Sequence, residues 1–299
     1  MKPAVKSDEL LFSIGSYFIV SVFTILSVIP FLLVLSGSLT DEGAIISNGY
    51  GFLPVPFSLD AYSYILSDFS QILRSYGVSI VVTLTGTAAG LYFCTMTAFV
   101  LSRQDFRYRN RFSFFFYFTT LFNGGLVSTY ILFVQYLKLK NNLLSLILPG
   151  LLPVFYILIM RSFIRSMIPA SLIEAAKIDG AGEFRIFMGI VLPLVKPALA
   201  CIGLFYAIGY WNDWYNAMLY ITDIKKYSLQ YLLTSVINKA DFLTKSSMSS
   251  ATVAEARESL PSESLKLAMT IVSIGPIVFV YPFVQKYFVT GLTIGAVKG

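Results

Sequence analysis

Glu174–Pro197 reads EAAKIDGAGEFRIFMGIVLPLVKP, and its flanks decide the fold. An apolar segment long enough to cross a bilayer lies on each side, so this charged, helix-compatible stretch is a surface loop of a membrane protein. Ser171 and Glu174 stand three apart, the spacing of a capping box, which predicts a short helix from near Ser171 through Ala175, Ala176 and Ile178. Gly180 ends it. A second amphipathic turn or two is expected over Glu183–Ile190, closed by Pro193 and Pro197. Two short helices with a glycine between them, at the water surface of a membrane protein, form a knob for a soluble partner. Glu174 has two readings, a plain capping carboxylate or a partner contact, and both can hold at once.

Composition agrees. Of 299 residues 56% are hydrophobic and 13% charged, about half the charge of an ordinary soluble domain, and mean hydropathy is +0.74. The net charge of +6 is spread in short clusters between apolar runs, so membrane topology accounts for it and no nucleic-acid partner is expected. The absence of histidine removes the commonest general base and metal ligand, and neither catalytic residues nor a metal site are expected. Cys94 and Cys201 lie inside apolar runs and read as small core hydrophobes. No G-x-x-x-x-G-K-[ST] stretch occurs, so an ATP-driven process needs another subunit.

Six spans are expected, near Leu10–Leu39, Ile72–Leu101, Phe112–Leu137, Leu143–Met160, Pro197–Tyr220 and Leu267–Val289. Thr40–Gln71 carries four acids and no Lys or Arg, which suits the outside. Lys138–Asn142 reads as a tight outer turn. Arg103, Arg107, Arg109 and Arg111 follow the second span, and the docking loop, residues 161–196, adds Arg161, Arg165, Lys177, Arg185 and Lys196. The two short opposite loops with their flanks hold only Arg74, Lys138 and Lys140. The charge rule then puts both termini and the docking loop in the cytoplasm. The reading is one all-α, polytopic membrane domain over residues 1–299, with a long extracytoplasmic loop over residues 221–266 that composition alone describes as a solvated, Ser-rich connector.

Two interior stretches bear on a passage through the bilayer. Tyr210–Tyr220, YWNDWYNAMLY, crowds aromatic rings with amides and a carboxylate near the outer end of the fifth span. Rings stack on sugar faces while Asn212, Asp213 and Asn216 hydrogen-bond hydroxyls, so Tyr210, Trp211, Asn212, Asp213 and Asn216 are candidate pathway residues. An interfacial aromatic belt accounts for Trp214 and Tyr220 equally well. Asn123, Gly124 and Gly125 interrupt the third span within FNGGLVSTY. Asn123 and Gly124 join the candidates, because paired glycines permit close packing or a local break that lines a cavity.

The docking stretch also carries a resemblance. EAA, then Gly180, then Ile190, Leu192 and Pro193 resembles the EAA loop of permease subunits of bacterial ABC importers. The fuller EAAxxDGA form is similar to the carbohydrate branch, in particular the smaller permease of the maltose type. The resemblance covers about Leu66–Gly299 and implies a type I importer permease in which Glu174, Ala175, Ala176, Asp179, Gly180, Ala181 and Pro193 couple to a separate ATPase. It implies a second homologous permease, an ABC ATPase dimer that holds the ATP and magnesium, an extracytoplasmic solute-binding protein or lipoprotein, an oligosaccharide substrate and a lipid surround in the bacterial cell membrane. This chain itself would bind no cofactor. It also implies that the loop over residues 221–266 meets the binding protein, and that the tail Gly291–Gly299 enters the ATPase interface. FNGGL, the YWN stretch and the tail resemble a subgroup that takes complex oligosaccharides, acidic and plant-wall sugars included; Ser128 departs from it, standing where that subgroup often has proline. The main alternative, an ion-coupled secondary transporter, would rest on Asp213 as its intramembrane carboxylate. A membrane-embedded enzyme lacks a histidine, zinc-ligand spacing and a nucleophile elbow.

Overall fold

The computed structural model describes residues 7–245 and 263–274. They fall into two compact units, one from the described residues up to Phe69 and from Ser235 onward, the other from Ser70 to Thr234. Among the described residues every regular element is helical.

In the first unit, α1 (Ser7–Ser38) is apolar around its circumference, with Phe18, Phe23 and Leu26 all more than half exposed. That is the surface of a helix in lipid. The hydroxyls of Thr24 and Ser27 donate to the carbonyls of Val20 and Phe23 (2.8 Å each), so neither is left bare there. Two short helices follow, α2 (Glu42–Asn48), capped by the Asp41 carboxylate, and α3 (Asp60–Ser67). The Glu42 carboxylate accepts from the amides of Glu263 and Ser264 and the Ser264 hydroxyl, at 2.8 Å each, and so caps the helix over residues 263–274.

The second unit is built on α4 (Phe69–Ser102), 34 residues or about 51 Å long. Its buried face is a stripe of small residues at helical spacing, including Ser75, Ser79, Gly86, Gly90, Cys94 and Ala98. This stripe is why α12 (Lys196–Trp211) can approach: a Cβ added at Gly86 would stand 2.6 Å from the Tyr210 ring, and one at Gly90 2.6 Å from the Tyr206 ring. The core gathers Ile157, Met160 and Ile164 of α8 (Val154–Met167), Ala198, Ile202 and Tyr206 of α12, and Ile186, Phe187 and Val191 from the stretch between.

The expected third, fourth and fifth spans are not single helices. The third breaks by 113° between α5 (Arg109–Leu121) and α6 (Gly125–Ile131), which continues as a π-turn over Leu132–Tyr136. At the break the Asn123 side chain accepts from the Gly125 amide (2.9 Å), and the Ser128 hydroxyl donates to the Gly124 carbonyl. The fourth breaks by 54° between Leu144–Gly150, which starts with α7 (Leu144–Ile147), and α8. Pro149 and Pro153 cause that break. α8 runs on to Met167, so Arg161 and Arg165 belong to a helix rather than to the docking loop. The fifth stops at Trp211 instead of Tyr220, and a separate α13 (Tyr215–Tyr220) follows. Among the described residues two helices are long and apolar enough to span a membrane alone, Phe12–Ser38 and Phe69–Ser102, and up to five spans result if each bent pair is one. The sixth expected span lies outside the described residues from residue 275 onward, as does the tail.

Asn141 organises the turn expected over Lys138–Asn142. Its φ is 58°, and its side-chain oxygen accepts from the amides of Thr222 (2.6 Å) and Asp223 (3.0 Å). Within the expected connector over residues 221–266, α14 (Leu229–Lys245) forms a helix, its first amide bonded to Ser79 Oγ at 2.8 Å, while residues 246–262 lie outside the described residues.

Candidate functional site

The docking stretch folds as α9 (Ala170–Ile178) and α10 (Glu183–Ile186). The capping box is not formed: Pro169 takes the N-cap position and makes no side-chain cap, so the helix starts one residue before Ser171. Glu174 is exposed, has no hydrogen-bonding partner among the described residues, and lines a cavity of ≈ 750 Å³ between α9 and the loop after α4. The end of α9 agrees with the sequence. Gly180 has φ +79°, its amide donates to Lys177 O (3.0 Å), and the Ala181 amide reaches back to Ala176 O (2.9 Å). That is a Schellman turn, and its left-handed residue favours glycine.

One side of the pair is rooted and the other is bare. Ile173 and Ile186 are buried, and Ala176 and Ala181 pack against the core. Phe187 lies 5.9 Å from Phe99 and 6.1 Å from Tyr92, both on α4. Complete burial of a side chain such as Ile186 is worth about 1.5–3 kcal/mol. On the opposite side Ala175, Asp179 and Gly180 are exposed, with Ile178 at 86% and Phe184 at 62%. Apolar side chains this bare, on a loop between polar groups, mark a contact surface.

An ionic ring, which no local pattern announces, holds the pair to α4. Arg103, just past the end of α4, pairs with Asp105 (2.6 Å) and Glu183 (3.3 Å), and Lys177 with the same two acids (2.8 and 2.9 Å). Arg103 also stacks over the Phe99 ring at 5.6 Å. Hydrogen bonds from Arg103 and then Lys177 hold the Asp105 carboxyl well below the usual carboxylate range, and bonds to Asp105 and then Glu183 raise Lys177. The ring spans the Gly180 turn, so α9, α10 and the end of α4 are tied together. Pro193 lies elsewhere, at the joint between Glu183–Leu194 and α12, which bends by 83°. The π-turn Phe187–Val191 precedes it: Leu192 N–H bonds to Phe187 O, five residues back. This takes up the lost donor and the ring clash that proline brings to an α-helix.

The second candidate region forms a cavity of ≈ 280 Å³, with Tyr156, Phe205, Tyr210, Asp213 and Asn216 among its lining. Tyr156 and Phe205 stack at 6.1 Å and 21°. The Tyr206 and Tyr210 hydroxyls donate to the carbonyls of Leu151 (3.0 Å) and Ile147 (2.8 Å), which the break in the fourth span frees. Tyr210 is therefore a packing residue as well as part of the wall. Asp213 accepts from the amide and side chain of Asn216 (3.0 and 2.8 Å) and caps α13. Trp211 turns away, 7% exposed, with its ring 6.3 Å from Tyr76. Asn212 is exposed and accepts from Gln230 at 3.4 Å. Neither is in the described lining, and the same holds for Asn123 and Gly124. Tyr220 is 1% exposed and stacks on Phe133 at 5.2 Å, so it belongs to the core, whereas Trp214 stays 41% exposed.

Comparison with known proteins places this architecture. Residues 99–294 match the family described as "Binding-protein-dependent transport system inner membrane component". The chain is 38% identical over 276 residues to Protein LplC of Bacillus subtilis (strain 168), covering 92% of this chain and 90% of that one. It is 38% identical over 291 residues to the polygalacturonan/rhamnogalacturonan transport system permease protein YtcP of the same strain, covering 97% and 99%. A chain in the crystal structure of a bacterial ABC transporter involved in the import of the acidic polysaccharide alginate aligns with TM-score 0.78 and 31% identity, covering 96% of this chain and 100% of that one. With its broken spans and its rooted helix pair, this chain belongs to the family of inner membrane components of binding-protein-dependent transport systems, and is a membrane permease with the type I ABC importer fold.

Proposed function

We propose that this chain is one of two permeases in an ATP-driven importer of oligosaccharides. In this reading both termini and the α9–α10 pair face the cytoplasm, and an ATPase dimer on separate chains grips the bare face around Ala175, Ile178 and Gly180. A solute-binding protein delivers sugar from outside, and the ≈ 280 Å³ cavity forms this chain's share of the passage. The observation that carries the reading is the helix pair itself. It exposes Ile178 to water while Ile186, Phe187 and the Arg103–Lys177 ring fix its other side to α4. A force applied to the tip then moves a long membrane helix instead of bending a loop.

The sugar assignment is supported by the names of the relatives and by the cavity wall. Tyr156 and Phe205 offer aromatic faces, Asp213 and Asn216 offer hydrogen-bonding groups, and a space this small suits about one ring of a chain whose other units contact a second permease. An ion-coupled carrier finds less support, because Asp213 already holds Asn216 and caps α13. Reconstitution with the companion permease, ATPase and binding protein tests the proposal. Binding protein loaded with oligosaccharide should raise ATP hydrolysis, and uptake should persist when ion gradients are collapsed. Uptake that survives loss of ATP and stops with loss of the gradient would overturn it.

A further inference from the structure

The chain between α1 and α3 carries an apolar surface that the transport reading does not use. From Gly43 to Leu59 there is no charged residue. Within it Tyr50, Phe52, Leu53, Val55 and Phe57 are exposed by 54%, 60%, 76%, 72% and 61%. This stretch is tied back to the helix it left. Thr40 pairs antiparallel with Phe57. The Asp41 amide donates to Pro56 O (3.1 Å), and the Ser58 amide donates to Leu39 O (2.9 Å). The hairpin therefore sits at the C-terminal end of α1, one residue beyond its last turn. Because α1 is a span, that end marks a surface of the bilayer.

The neighbouring acids are all engaged with protein groups. Asp41 caps α2, Glu42 caps the helix over residues 263–274, and Asp60 accepts from the Ser58 hydroxyl at 2.8 Å. The Tyr50 hydroxyl donates to Glu263 at 3.0 Å. Each of these carboxylates thus has a protein partner, although the Tyr50–Glu263 and Ser58–Asp60 contacts stay at the surface, and residues 50–57 themselves present ring, branched aliphatic and proline.

We propose that the hairpin over residues 50–57 is a membrane-interface anchor, seated in the boundary between headgroups and acyl chains at the C-terminal end of α1, with Phe52, Leu53 and Val55 turned into lipid. Lipid is the favoured occupant for two reasons. The surface is continuous, through the Thr40–Phe57 pairing, with an α1 whose spanning window has none of its residues buried. It also carries no charged residue of its own from Gly43 to Leu59, and its aromatic and aliphatic make-up is that of interfacial segments. Such an anchor fixes the depth of α1 and of the short helices beside it.

Spin labelling of the complete transporter in nanodiscs of phosphatidylethanolamine and phosphatidylglycerol tests this. A nitroxide is placed at Leu53→Cys or at Val55→Cys, the second site serving if the first variant assembles poorly, and the signal of the unsubstituted chain is subtracted for Cys94 and Cys201. Collisions with oxygen should exceed those with a water-soluble nickel chelate by about threefold or more, at a shallower depth than a label at Leu26→Cys in α1. Equal or greater nickel access would place the hairpin in water and overturn the proposal. Suppression of both collision rates severalfold below the Leu26 label would overturn it as well, since a protein partner would then cover the surface.

Discussion

The Lys177 ammonium lies 2.9 Å from Glu183 Oε1, across the turn that Gly180 makes between the two short helices. Because Lys177 also pairs with Asp105 and Glu183 with Arg103, which pair with each other, the turn is braced from the α4 side as well. Several kinds of substitution separate the brace from the turn.

Lys177→Met should loosen the helix pair without unfolding the chain. Asp105 and Glu183 are more than half exposed, so solvent screens each pair and little stability rests on it. The melting temperature should barely move, while hydrogen exchange of the amides from 178 to 183 should rise. Transport per ATP hydrolysed should fall. Unchanged exchange there would show that the ring braces nothing.

The ring should be insensitive to pH over the neutral range, weakening in acid as Asp105 is protonated and in strong alkali as Lys177 loses its proton. Asp105 is held below its ordinary value by Arg103 and Lys177, and the unfolded carboxyl titrates near about 3.9. A depressed carboxylate stabilises the folded state fully above that unfolded value, and the contribution is lost as pH falls from there through the lower folded value. Protection of the amides at residues 178–183, with the intrinsic pH dependence of exchange divided out, should therefore be flat from neutral pH down to about pH 5 and fall below about pH 4. In Asp105→Asn the acid step should shrink and protection there should be low throughout.

Gly180→Val should strain the turn directly. A β-branched residue at φ +79° costs about 1–3 kcal/mol, and the simplest relief is to unwind the end of α9. Membrane insertion and subunit assembly should be normal, ATP hydrolysis should persist, and stimulation by the loaded binding protein should be lost. Gly180→Asn, which tolerates the left-handed region better, should recover part of the coupling. Normal uptake in the valine variant would count against the rigid pair.

Gly86→Leu should be among the most damaging single changes in the second unit. The first added carbon already stands 2.6 Å from the Tyr210 ring, so α4 and α12 must separate, at about 1–3 kcal/mol or more. Tyr210→Phe is the subtler test. It keeps the packing and leaves the Ile147 carbonyl without its donor, which costs about 1–3 kcal/mol, read as a lower melting temperature in detergent.

Asp213→Ala removes both a helix cap, worth about 0.5–2 kcal/mol, and a polar group of the cavity. Asp213→Asn removes the charge and keeps an acceptor for the Asn216 amide, while the oxygen that accepts from the Asn216 side chain becomes a donor that a turned Asn216 amide group can meet. If Asp213 faces the passage, both variants should change the concentration dependence of uptake while the complex still assembles. If it serves α13 alone, the asparagine variant should transport like the parent chain.

The sequence carried the parts of this structure that local chemistry controls. Gly180 was legible because a helix that must reverse within two residues needs a left-handed position, and the apolar runs were legible by length. The start of α9 was misread because Ser171 and Glu174 have capping spacing, while Pro169, with its preset backbone and missing donor, sets the boundary instead. The ionic ring was hidden for a different reason: Arg103 and Asp105 are remote in sequence from Lys177 and Glu183, and nothing local announces their meeting. Tyr210 and Trp211 illustrate a third limit. As neighbours on a helix they project about 100° apart, so one reaches the cavity wall and the other packs beside Tyr76. Only the proline breaks in the fourth span explain why two tyrosine hydroxyls are spent on bare carbonyls.

The bareness of Ile178 also bears on the upkeep of the subunit in a cell. A branched aliphatic tip held out in water is adhesive, and it cannot fold back because the glycine turn and the buried isoleucines on either side hold it forward. A copy made in excess of whatever covers that tip would therefore be a ready target for chaperones and proteases, so the supply of the covering subunit would set how many copies persist.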